Sequence, residues 1–282
     1  MLVGWAPRRG VADLTRKYVL SFVAVLACAA LAIVAHAVLP AQVDEDLLDG
    51  FLVQEVGFVA VAVSYFILLY AHCAVVVNAN RANLRQGKTR SGLFLGSAFA
   101  LLYMVGMQEV MLEANAFETW GLDFVAYQTV LGLGDAVPAI ILCVTVSVLL
   151  GEARHEDRPV HRDALPIVLL FTLVVGTSRL LLSYGGVIDS HVLEYPVPVV
   201  AWGFALGCAM GIGYVLVRRA CSRAGAVMIY GLGLNWVIFN MFIGLVKSGT
   251  MADALTRSIL DVVVVAAAMG LAQSVGGERQ AA

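Results

Sequence analysis

The sequence predicts an all-α fold, a polytopic membrane helical bundle with eight transmembrane helices. Composition is the first observation: 61% of the 282 residues are hydrophobic and 13% charged, with mean hydropathy +0.88. A soluble domain is about 45–50% apolar and about 25% charged. Second, apolar runs of about 20 residues, the length that spans a bilayer as a helix, fall at 18–39, 53–79, 92–114, 124–150, 165–186, 195–217, 225–246 and 252–275. Third, the charges between these runs sort by side. Together these exclude a disordered chain, a nucleic-acid binder and a soluble enzyme, and a net charge of -2 offers nothing to a polyanion.

The first run follows Arg8, Arg9, Arg16 and Lys17 and ends near Ala35-His36-Ala37, a small-residue pattern that a signal peptidase could cut. Its apolar stretch is longer than a signal core, so an uncleaved helix is expected. The second run is followed by Arg81, Arg85, Lys88 and Arg90, the fourth by Arg154, Arg158 and Arg162, the sixth by Arg218, Arg219 and Arg223, and the last by Arg279. Of the 18 basic residues only Arg179, Lys247 and Arg257 lie elsewhere. The alternate loops carry Asp44, Glu45, Asp46, Asp49, Glu118, Asp123, Asp189 and Glu194. Because Lys and Arg are retained on the cytoplasmic side, both termini are expected there, in a multi-pass protein of the cell membrane, the inner membrane of a bacterium. The connections are short, as between helical neighbours, and no internal repeat is evident. Residues 1–282 therefore read as one transmembrane domain, an additional N-terminal helix at 18–39 and a seven-helix core at 53–275.

Within the spans, Pro138 is expected to kink the fourth helix, and Pro196 and Pro198 to open the sixth. Ala100, Gly106, Gly176, Gly207, Gly211 and Gly213 are small enough to let helices approach closely. The five cysteines, Cys28, Cys73, Cys143, Cys208 and Cys221, are scattered and odd in number, which suits packing better than a disulfide framework or a metal site. Of the histidines only His72 lies well inside a run, and it reads as a hydrogen-bonded interior residue.

An ionisable side chain at the bilayer centre costs at least about 2.5–3.5 kcal/mol on insertion scales, so each marks a site with a partner. The candidates are Glu55, Glu109, Asp135, Arg179, Arg257 and Asp261, joined by Gln108, Asn235 and Asn240. Span direction puts nearly all of them in the outer half, as an outward-facing polar pocket of Glu109, Asp135, Arg179, Asn240, Arg257 and Asp261. Arg257 and Asp261, four residues apart, share a helix face and are within reach of each other, and Arg179 is the cation available to Glu109. One of the three buried acids is then left over, either protonated, its pKa raised by desolvation, or paired with something the sequence does not contain. The same charges could instead form a structural network that fixes helix packing. The inner half of the last helix, Val262-Val263-Val264-Val265-Ala266-Ala267-Ala268, holds nothing to conduct an ion.

Two motifs carry resemblances. Leu260-Asp261-Val262 in the last helix, with Asp253 before it, resembles the final helix of microbial (type 1) rhodopsins, in which such an Asp belongs to the counter-ion and a Lys four residues later binds retinal as a Schiff base. Val265 stands at the lysine position. Gly132 stands where the family has an Arg, and Asn235-Trp236 and Asn240 replace its aromatic pair. The resemblance implies an opsin-like seven-helix core without covalent retinal, leaving a non-covalent retinoid, carotenoid or lipid as the cofactor classes. Leu131-Gly132-Leu133-Gly134-Asp135 in turn is similar to the Gly-x-Gly-Asp motif of intramembrane aspartyl proteases, which would make Asp135 and Asp261 a catalytic pair sharing one proton. The Tyr and the Pro-Ala-Leu of that family are absent.

The functional expectation is thus an integral membrane protein, opsin-like without covalent retinal, that binds a ligand or responds to protons and is not an enzyme. The alternatives are a transporter or an accessory subunit of a membrane complex locked by ion pairs, and a protease. The bilayer itself is the first partner, with a membrane protein or a second copy of the chain as the others and nucleic acid excluded.

Overall fold

The computed structural model describes residues 8–39, 48–112, 122–152 and 164–278, with side chains described at 13–39, 48–106, 126–128, 130–152 and 164–274. Apart from turns and one isolated bridge, the described chain is helical throughout. In chain order the elements are α1 (Arg8–Val38), α2 (Phe51–Val56), α3 (Phe58–Ala79), α4 (Lys88–Leu112), α5 (Leu122–Leu150), α6 (Ala164–Tyr184), α7 (Pro196–Ala220), α8 (Ala224–Ala226), α9 (Leu234–Val246) and α10 (Met251–Glu278). Among the described residues, seven helical stretches are long and apolar enough to cross a membrane: Asp13–Val38, Phe58–Ala79, Ala126–Leu150, Ala164–Tyr184, Pro196–Ala220, Ala224–Val246 and Met251–Ser274. The eighth expected span, 92–114, coincides with α4, whose far end passes into residues outside the described side chains.

Two expected spans are less regular than their hydropathy implies. The run at 53–79 is broken at Gly57, which takes φ +82°, a left-handed conformation that a side chain would strain. The run at 225–246 contains a π-helical segment, Val227–Gly233, between α8 and α9. By contrast α5 continues unbroken through Pro138, and α1 is one helix across Ala35-His36-Ala37.

Helix packing is set by small residues. A β-carbon at Gly92 or Gly96 of α4 would stand 2.8 Å from the Cys143 carbonyl or 2.7 Å from Ile140 Cα of α5. At Gly207 or Gly211 of α7 it would stand 2.9 Å from the Phe171 carbonyl or from Val168 Cα of α6. Each four-residue spacing of small residues thus brings two backbones together, the device membrane helices use where no hydrophobic force separates them from lipid. Around these pairs, α1 lies on α3 and α5, α10 on α6 and α9, and α4 and α3 meet α7 and α9.

At the basic end, Leu84 and Cys221 form an antiparallel bridge between the α3–α4 loop and the end of α7. Arg85 N donates to the Ala220 carbonyl at 2.9 Å and Ser222 N to that of Asn83 at 3.0 Å. Burial pushes the Cys221 thiol up to about 11, so it stays protonated there. At the acidic end, Asp49 accepts from Ser248 Oγ at 2.5 Å and Ser248 N at 2.8 Å. These bonds from the Ser248 side chain and backbone, with Lys247 nearby, hold the Asp49 carboxyl below its usual range.

Candidate functional site: two buried charge pairs

The first cluster joins α6, α7, α9 and α10. Arg179 of α6 is 4% exposed and Asp261 of α10 2%. Arg179 Nε donates to Asp261 Oδ1 at 2.7 Å and Nη2 donates to Oδ2, a two-pronged contact that matches the planar guanidinium to the carboxylate. Trp236 Nε1 of α9 donates to the same Oδ2 at 2.8 Å. The guanidinium also stands 5.1 Å over the Trp202 ring of α7, a cation–π contact, and Trp202 Nε1 donates to the Val105 carbonyl of α4 at 2.9 Å.

Among the described residues Arg257 pairs with Asp253, where the sequence spacing points to Asp261, and Asp253 also accepts from Asp189 N at 2.9 Å. The reason is directional: helical side chains lean toward the N-terminus, so a long arginine at 257 reaches back to 253 and away from 261. Arg179 reaches Asp261, and its expected pairing with Glu109 falls outside the described side chains. The side chains of Glu109 and Gln108 lie outside the described residues. Asn240 of α9 donates to the Trp236 carbonyl of its own helix at 2.9 Å.

The second cluster joins α1 and α5. His36 Nε2 is 2.9 Å from Asp135 Oδ1, with the histidine side chain 21% exposed and that of Asp135 2%. The imidazole stacks on Phe66 of α3 at 5.5 Å, and Tyr70 of α3 donates to the Asp135 carbonyl at 3.1 Å. The Gly-x-Gly preceding Asp135 has a packing role here. A β-carbon at Gly134 would lie 3.2 Å from Ala35 Cβ, and one at Gly132 2.8 Å from Met104 Cα, so the two glycines seat α1 and α4 against α5. Asp135 thus has a partner in the chain itself, His36, where the left-over acid was expected to be protonated or to pair with something the sequence does not contain. His36 was missed because its place at the end of the first run hid that α1 crosses α5 at Gly134.

Asp135 and Asp261 thus have different partners, His36 and Arg179, on helices with different neighbours, α5 against α1, α3 and α4, and α10 against α6 and α9. Asp135, Arg179, Asn240, Arg257 and Asp261 are all buried. At these five residues the expected outward-facing pocket is filled by side chains packed on a neighbouring turn or helix, while Glu109 lies outside the described side chains. Glu55 is exposed on α2.

Between the clusters, Tyr103 of α4 donates to Asn235 Oδ1 at 2.5 Å. Asn235 Nδ2 reaches the Leu69 carbonyl and His72 Nδ1, each at 3.2 Å. His72 is thus hydrogen-bonded within the bundle. Beside this network lies an apolar cavity of about 20 Å³, room for about one water molecule. It is bounded by Leu102 of α4, Met210 of α7, Trp236 of α9, and Val262 and Val265 of α10, with Met228 from the π-helical segment. Among the described residues no cluster of His, Cys, Asp and Glu could hold a metal ion.

No family model, no curated protein and no solved structure matches this chain.

Proposed function

We propose that this chain is a multi-pass protein of the cell membrane that responds to protons through His36 and Asp135, while Arg179, Asp261 and Trp236 hold the rest of the bundle fixed. The observation that carries this reading is the 2.9 Å contact between an imidazole and a buried carboxylate inside two apolar helices. Imidazole changes charge near neutral pH. Protonated, it makes an ion pair with Asp135 and draws α1 onto α5; neutral, it leaves a hydrogen bond and a buried charge without a counter-charge. The basic-loop bias puts both termini in the cytoplasm and the two charge pairs in the outer half of the membrane, facing the external pH. The test is the distance between spin labels on α1 and α5 in the reconstituted protein. It should lengthen as pH rises from about 5 to about 8, the range in which imidazoles titrate, and a constant distance overturns the reading.

A second reading has its own observation. Val265, the position of the retinal lysine in the rhodopsin resemblance, lines the apolar cavity together with Val262 and Trp236. On this reading the core is opsin-like, and Arg179 supplies Asp261 with the positive charge that a Schiff base supplies in that family. A non-covalent apolar ligand, a retinoid, carotenoid or lipid, would have to part α9 and α10 at this point, because the cavity as it stands has room for about one water molecule. Added all-trans retinal should then shift in absorption without becoming trapped by borohydride; a trapped adduct, or no shift, removes this reading.

A further inference from the structure

The order of helix contacts repeats. In the first half of the chain, helix one (α1) lies on helix two (α3) and helix four (α5), and helix three (α4) lies on helix four. The second half has the same scheme: α6 on α7 and α10, and α9 on α10. Between the halves the contacts are reciprocal, third helix on second (α4 on α7), second on third (α3 on α9) and third on third (α4 on α9). Such reciprocity, where patch i meets j and j meets i, is the mark of a two-fold interface. The loops between second and third helices meet each other in the bridge of Leu84 with Cys221. Their flanking bonds, Arg85 to Ala220 and Ser222 to Asn83, are antiparallel, as a two-fold axis along the helices requires. α3 additionally packs on α5, which makes the first half the tighter of the two.

Helix by helix, with an offset of its own for each pair, buried positions fall on buried positions. Superposing Leu84 on Cys221 carries buried Tyr65, Leu69, Cys73 and Val77 of α3 onto buried Trp202, Leu206, Met210 and Tyr214 of α7. Superposing Asp135 on Asp261 carries buried Gln128, Leu131, Ala139 and Leu142 of α5 onto buried Ala254, Arg257, Val265 and Ala268 of α10. Superposing His36 on Arg179 carries buried Cys28 and Ala32 onto buried Phe171 and Val175.

We infer that the chain is two copies of one four-helix unit fused in tandem, and that His36–Asp135 and Arg179–Asp261 are one site occurring twice, proton-exchangeable in the first copy and fixed in the second. In both copies a cation on the first helix meets an aspartate on the fourth. The exchangeable copy rests on the proton-binding reading above; the equivalence does not. The ionisable groups around the first site are Asp135 on α5, Tyr65, Tyr70 and Cys73 on α3, and Cys28 on α1. Among the described residues, those at the second include Asp261, Arg257 and Asp253 on α10.

The test exchanges the cations in the full chain reconstituted in lipid. The unfolding midpoint and tryptophan emission are followed from about pH 5 to about pH 8. His36→Arg should fold and lose the pH-dependent shift of the midpoint. Arg179→His should gain a pH-dependent emission, because Trp202 and Trp236 both touch the exchanged site, and the double exchange should move the pH response from the first site to the second. A native protein without any pH-dependent shift overturns the proton-binding reading alone. An Arg179→His protein that folds but shows no titrating emission overturns the equivalence. If Arg179→His does not fold, His36→Arg decides: an arginine accepted beside Asp135 with a pH-independent midpoint supports equivalent sites, and one that prevents folding overturns them.

Discussion

The Arg179 and His36 sites use the same anion in the same place and differ in the cation. Arg179 holds Asp261 with two nitrogens, is backed by the Trp202 ring, and shares the carboxylate with Trp236. Its guanidinium stays charged at any ordinary pH. His36 offers one nitrogen from a side chain that remains 21% exposed, and imidazole is a conditional cation. The difference separates two uses of a charge inside a membrane. A permanently charged, fully enclosed pair fixes which helices are neighbours, whereas a single-point contact to a titratable group at the edge of the bundle makes one neighbour conditional.

The sharpest way to break this contrast is to remove the cations one at a time. Arg179→Leu leaves Asp261 buried without its counter-charge, which should cost about 3–5 kcal/mol in detergent unfolding experiments. At a pH where the imidazole is neutral, His36→Leu removes one hydrogen bond to Asp135 and no counter-charge, and should cost about 1.5–3 kcal/mol. Equal losses would mean that the histidine pair is as much a lock as the arginine pair. A smaller effect is expected from Gly134→Ala, about 1 kcal/mol for a slight overpacking against Ala35. It should weaken the α1–α5 contact, measured as cross-linking between those helices, and spare α6–α10.

The smallest effect lies in neither pair. The Asp49 carboxyl is held below its ordinary value of 3.8 by Ser248, so its contribution is complete above that value and is lost as pH falls through the lowered one. Asp49→Asn should remove a stability loss confined to pH below 3.8 and leave the response between about pH 5 and 8, where imidazoles titrate, untouched. A change in that upper range would show that the loop and the His36 site are coupled.

Much of the fold was legible in the sequence because crossing a membrane imposes a length and a polarity that any window can read. Seven of the eight expected runs coincide with helices long and apolar enough to span. Asp135, Arg179, Arg257 and Asp261 were legible as buried charges for the same reason, since ionisable groups in such runs are rare. What could not be read was who meets whom. Hydropathy gives no azimuth, so Arg257 was matched to Asp261 by spacing although side-chain direction sends it to Asp253. His36 was passed over because its partner lies 99 residues away in the chain.

By itself, then, the sequence determined a helical membrane protein, the positions of its spans and the identity of its buried charges, because these depend on local composition and helix length alone. The partnership of Arg179 with Asp261, the arrival of His36 at Asp135 through the close approach at Gly134, and the repeat of one contact scheme in both halves were decided only by tertiary packing. Each depends on the rotation and crossing of helices distant in the chain, and lipid-facing sequence carries no record of either.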